Sequence, residues 1–209
     1  MSRTPSPTPA RPSLPPPDAH RRLAASADGW FGRARAALLG SLPCQSGCAR
    51  CCIGPFAITR LDLHALAHAM RTLPSGVAEG IRATARRQIA IIETAYPRLR
   101  DSPILDRWPD QDLDTLTSRF ADLPCPALDT DGRCRVYEAR PITCRQMGIP
   151  VESDGHLDGA CSVQTFVPIV RLSSRFREEE RRLAELEAQA LEREPEQGEE
   201  WLITYGFLD

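Results

Sequence analysis

The sequence predicts a mainly α fold with short β-hairpins, built as one small irregular domain. Three observations carry that expectation. Several stretches repeat apolar residues close to a 3.6-residue period. Asp-Gly pairs at 131–132 and 154–155 mark tight turns between short extended pieces. Eight cysteines fall in segments rich in Gly and Pro, where regular structure is interrupted. At 209 residues the chain suits one domain with appendages.

Residues 1–17 hold seven prolines and read as a disordered, extended tail. Asp18 can cap a helix reaching about Leu42, with Leu23, Trp30, Phe31, Ala34, Leu38 and Leu39 on an apolar face. Gly29 and Gly32 weaken it, so two helices are an open alternative. Pro43 stops it, and an irregular loop follows to about Ile58. Thr59-Arg60-Leu61-Asp62 is a capping box in its aspartate variant, opening a helix over about 60–73. Pro74-Ser75-Gly76 breaks it. A longer helix follows over about 77–96, with Val77, Ile81, Ala85, Ile89, Ile92 and Tyr96 on one face. Residues 98–110 read as a loop, and about 111–121 as a short helix carrying Leu113, Leu116 and Phe120. Ser173 or Ser174 can cap a last helix to about Arg193, where Glu178–Arg182 makes a favourable i, i+4 pair. The tail from Glu199 is too apolar to be solvated and is expected to dock on the domain. The expected organisation is therefore a tail (1–17), a cysteine-cluster domain (18–172), and a C-terminal helix with docking tail (173–209).

Composition narrows the function. The formal net charge of −2 gives no electrostatic footprint for nucleic acid. All 26 basic residues are arginine, which excludes lysine-nucleophile chemistry by this chain. The first 20 residues lack the apolar core of a signal peptide, and no apolar run reaches membrane-spanning length. A cytoplasmic location without membrane contact is the expectation. In a reducing cytosol the cysteines favour metal ligation over disulfides.

Four cysteines lie within nine residues: Cys44, Cys48, Cys51 and Cys52. Two residues between Cys48 and Cys51 let both sulfurs turn toward one point, and Cys44 is close enough to join. Adjacent Cys51 and Cys52 tend to point apart, so they either serve different metals or one thiol stands behind the other. The second segment starts at Cys125. Pairing of Leu128 near Arg133 across the Asp131-Gly132 turn brings Cys125 and Cys134 to one end of a hairpin. Asp129 and Asp131 echo a calcium loop, but Arg140 stands where its glutamate belongs. Pro141 suits the first turn of a short helix presenting Cys144, whose thiolate the helix dipole would favour. Arg140 and Arg145 flank it as cations standing behind the thiol ligands, where they offset an anionic metal centre. Cys161 is the eighth candidate ligand. His64 and His68 stand i, i+4, yet a solvated or half-buried helix face explains them better. His20 and His156 carry no signal. No dinucleotide, P-loop, serine-hydrolase or paired-carboxylate motif is present. The Cys44-Cys48-Cys51 spacing of radical-SAM enzymes lacks the barrel such enzymes need.

These segments resemble the YkgJ-like cysteine-cluster family of zinc- or iron-chelating domain proteins. Its second segment reads about C-P-x-L-x(3,5)-G-x-C-x-V-Y-x-x-R-P-x-x-C-R. Cys125, Pro126, Leu128, Gly132, Cys134, Val136, Tyr137, Arg140, Pro141, Cys144 and Arg145 match in order. The resemblance covers about residues 40–165. It implies a metal-centred fold with eight candidate ligands for zinc, iron or an iron–sulfur cluster. The long helical stretch between Cys52 and Cys125 departs from the family pattern. Related labels such as iron–sulfur oxidoreductase cannot be transferred on a shared module alone.

The leading function is thus chelation of an iron–sulfur cluster or zinc, with a redox role in view. The alternatives are a group-transfer enzyme using the metal, and a zinc-stapled adaptor without catalysis. The enzyme predicts a pocket lined by Arg140, Arg145 or Tyr137. The adaptor predicts an exposed Trp201–Phe207 surface for a protein partner. No catalytic residue is assigned.

Overall fold

The computed structural model describes residues 17–38, 47–149, 151–153, 156–158, 173–193 and 200–208. The proline-rich tail, Leu39, Cys44, the 154–155 turn and Cys161 lie outside the described residues. Seven helices dominate the described chain. They are α1 (Pro17–Ala37), α2 (Arg60–Thr72), α3 (Ser75–Ala95), α4 (Arg98–Asp101), α5 (Asp110–Arg119), α6 (Ile142–Gln146) and α7 (Ser174–Glu192). Strands β1 (Ala57–Thr59) and β4 (Glu200–Leu202) pair antiparallel, as do β2 (Val151–Ser153) and β3 (His156–Asp158). The fold is mainly α with a short hairpin in one small domain.

Helix α1 is continuous through Gly29 and Gly32, so the two-helix alternative falls. Each glycine costs about 1 kcal/mol of helix propensity. Burial of Leu23, Ala27, Trp30 and Ala34 at helical spacing outweighs it. The Trp30 indole N–H donates to the Phe176 carbonyl at 3.0 Å, tying α1 to α7. The Thr59–Asp62 capping box forms in both directions and starts α2 at Arg60. In α3, Ile81, Ala85, Ile89 and Ile92 are buried, as their period predicts. The 98–110 segment is not all loop, because Arg98–Asp101 forms one helical turn after Pro97. In α7, Glu178 pairs with Arg181 rather than Arg182.

The central core joins Ile58, Leu66, Met70, Ile81, Val136, Ile203 and Phe207, and Cys125, Cys134 and Cys144 pack against it. Leu202, Ile203 and Phe207 of the C-terminal tail are buried. Ile58 of β1 pairs with Trp201 of β4, and the Ile203 amide donates to the Phe56 carbonyl at 2.9 Å. Gly206 is packed so tightly that a Cβ there would stand 2.7 Å from Leu66 Cδ1. A chain entering β1 from the first cysteine segment is therefore anchored by its own C-terminus.

Candidate metal centre

Glycine turns and backbone pairing bring the two cysteine segments together. Residues Arg50–Cys52 make a single 3-10 turn between Gly47 (φ 85°) and Gly54 (φ 90°), both in the left-handed region. The Cys125 amide donates to the Cys52 carbonyl at 2.7 Å, and the Gly54 amide to the Leu123 carbonyl at 2.7 Å. Ile53 and Pro124 form an antiparallel bridge. Gln88 of α3 donates to the Pro124 carbonyl at 2.7 Å, which fixes the second segment to the helical stretch preceding it.

The 128–134 turn forms as expected, with Leu128 bridged to Cys134 rather than to Arg133. Asp129 organises it: its Oδ1 accepts from the amides of Asp131 (2.9 Å) and Arg133 (2.7 Å). Gly132 adopts φ 76°, and a Cβ there would lie 2.8 Å from the Gly47 carbonyl oxygen. Only a residue without a side chain lets the second segment abut the first this closely.

Five thiols share one electrostatic neighbourhood. The Cys51 thiol is lowered to about 6, chiefly by the hydrogen bond it receives from Cys52, with the Arg140 charge assisting against burial. That same bond holds the Cys52 proton on and pushes Cys52 up, as do burial and the charges of Cys51, Cys125 and Cys144. Burial pushes Cys125 up to about 12, and Cys134 and Cys51 add to it. Cys134 is raised by burial, opposed by the Val136 amide and by Arg140 and Arg145. Cys144 is pushed well up by burial, then by Cys125, Asp62, Cys134 and Cys51. The expected dipole stabilisation of a Cys144 thiolate does not prevail. Helix α6 has only five residues, and burial outweighs so short a dipole.

Cys48 is half-exposed on the same loop. Among the described residues, no three Cys, His, Asp or Glu side chains already stand in a geometry that holds a metal ion. The thiols are gathered but not closed on a point. Their chemistry nonetheless fits zinc or iron. Five half-buried soft donors lie together, like charge from neighbouring thiols raises Cys52, Cys125 and Cys144, and a bound cation would remove that cost.

Arg145 is buried and fully engaged. It donates to Asp28 of α1 at 2.5 Å, to the Arg140 carbonyl at 3.1 Å and to the Glu138 carbonyl at 2.7 Å. Arg140 reaches the same Asp28 at 3.2 Å and lies 4.1 Å from the Tyr137 ring centroid. Both arginines therefore bear on the thiols through charge; the Arg145 donors are all used elsewhere, whereas the buried Arg140 Nε has no hydrogen-bond partner among the described residues. A cleft of about 520 Å³ opens at Cys51, lined by Arg50, Ile53, Gly54, Pro55, Phe56, Ala121, Asp122, Thr143 and Met147. Arg140, Arg145 and Tyr137 do not line this cleft.

His64 is half-buried and lowered to about 4 by burial, then by Arg60 and Arg71. His68 is exposed. His20, by contrast, is buried, and its Nε2 lies 3.0 Å from Asp62 Oδ1. That Oδ1 also accepts the Ile142 amide at 3.0 Å, so Asp62 links α1, α2 and α6. No local signal announces His20, since its partner lies 42 positions away. Asp62 is legible only as a cap.

Fold and site together define a small helical protein whose distant cysteine segments converge on one thiol cluster. The chain belongs to the CxxCxxCC family, described as "Putative zinc- or iron-chelating domain", whose model matches residues 43–162. No curated protein and no solved structure matches the chain. Among the described residues, no helix is long and apolar enough to cross a membrane.

Proposed function

We propose that this chain chelates iron or zinc through Cys44, Cys48, Cys51, Cys52, Cys125, Cys134, Cys144 and Cys161. An iron–sulfur cluster is favoured over zinc, in a reducing cytoplasm. The observation that carries the reading is the convergence of two cysteine segments more than 70 positions apart, joined by the Cys125–Cys52 backbone hydrogen bond and the Ile53–Pro124 bridge, with Cys125, Cys134 and Cys144 packed against one core. Arg140 and Arg145 support the anionic cluster: their charges favour thiolates at Cys134, and Arg140 does so at Cys51. Zinc would supply a redox-inert staple, whereas an iron–sulfur cluster would supply one-electron transfer. In this reading residues 18–172 form the metal-binding domain and 173–209 brace it. The burial of Leu202, Ile203 and Phe207 favours bracing over a partner surface.

Anaerobic purification followed by metal and acid-labile sulfide analysis tests the proposal. The expected protein is brown, with broad absorbance near roughly 400 nm. A colourless protein holding about one or two zinc ions per chain would keep chelation and remove the redox role. A protein with neither metal would end the reading.

A further inference from the structure

The cleft at Cys51 has a character that metal chelation does not use. Its volume of about 520 Å³ falls within the ~300–1,000 Å³ of small-molecule sites. Ile53, Phe56 and Met147 give it an apolar wall, and Ile53 is 41 % exposed despite its hydrophobicity. The same cleft carries one cation, Arg50, and one carboxylate, Asp122, both exposed. Among the described residues, neither forms an ion pair, either with the other or with a third group. A monoanion would meet Arg50 but be repelled by Asp122, and a monocation the reverse. A molecule carrying both charges on an apolar body complements Arg50, Asp122 and the apolar side chains of the wall.

We propose that this cleft binds a small zwitterion with an apolar side chain, of the amino-acid or dipeptide class. Arg50 receives its carboxylate, Asp122 its ammonium group, and Ile53, Phe56 and Met147 its apolar body. Leu-Leu and L-leucine are titrated calorimetrically into the full-length protein, beside N-acetyl-Leu-Leu and Leu-Leu amide. Saturable binding of at least one free zwitterion is expected, weakened about threefold to tenfold when either end is blocked. Arg50→Gln should weaken the free compound but leave the amide unchanged. Asp122→Asn should weaken the free compound but leave the N-acetyl form unchanged. Metal content is measured in the same samples and should stay constant in both variants, which separates this proposal from chelation. Absent saturation, equal binding of blocked and free forms, or loss of binding only in step with loss of metal would each overturn it.

Discussion

Asp62 and the thiol cluster are two gatherings of acidic groups in one interior, close enough that the Asp62 charge raises Cys144. They are completed differently. Around Asp62 the polypeptide supplies the donors: His20 Nε2 at 3.0 Å, the Ile142 amide at 3.0 Å and the Thr59 amide at 3.4 Å. Around Cys144 it supplies other thiols, and Cys125 and Cys144 are pushed up first by burial and then by those thiols' charges. A carboxylate ringed by N–H donors is finished by folding alone. A set of thiols that repel one another's charges is finished only by a cation.

Removing Asp62 breaks the first of these gatherings most severely. Asp62→Ala orphans the buried His20 ring and the Ile142 amide and removes the Asp62 half of the α2 capping box. It should cost about 3–5 kcal/mol in urea unfolding. A loss under about 1 kcal/mol would mean that the three helices are held otherwise. The fraction that remains folded should still carry its metal.

Cys144→Ser sharpens the contrast from the other side. Loss of the metal should remove about 3–4 kcal/mol, the stabilisation given by a ligand at hundreds of times its Kd. Metal content and stability should fall together. Once a chelator has stripped both proteins, their unfolding curves should nearly coincide. If Cys144→Ser keeps full metal, Cys144 is not a ligand.

The smallest effect tests where the protein-completed region is imperfect. Glu187 of α7 accepts from Thr59 Oγ1 at 3.2 Å and is faced by Asp62, His20 and Glu200. Burial, then the Asp62 charge, raises it from 4.5 to about 7. Between those values the folded state keeps a proton that the unfolded state has lost. Stability therefore falls as pH rises through this window and levels off above it. Glu187→Gln should flatten that fall and gain about 1–2 kcal/mol at pH 8. Thermal melts at pH 5 and pH 8 measure it, and an unchanged slope would remove Glu187 as its source.

How far the sequence could be read depends on the range of each interaction. The Thr59–Asp62 box, the α3 stripe and the Asp131-Gly132 turn were legible because each is settled within a few residues. The cysteines were legible as a set because thiol spacing is a local pattern. The continuity of α1 through Gly29 and Gly32, left open by the sequence, and the extra turn at Arg98–Asp101 were not, since packing overrode local propensity.

The sequence by itself determined the helical class, the donor type and the family to which the chain belongs. Only the tertiary structure decided that Cys52 and Cys125 share a backbone hydrogen bond and that Arg145 is anchored by Asp28. It alone revealed that His20 finds Asp62 and that Arg50 and Asp122 share a cleft. The physical reason is one of distance along the chain. Periodicity and capping act between neighbours, whereas burial and charge act between whichever groups the folded core brings together.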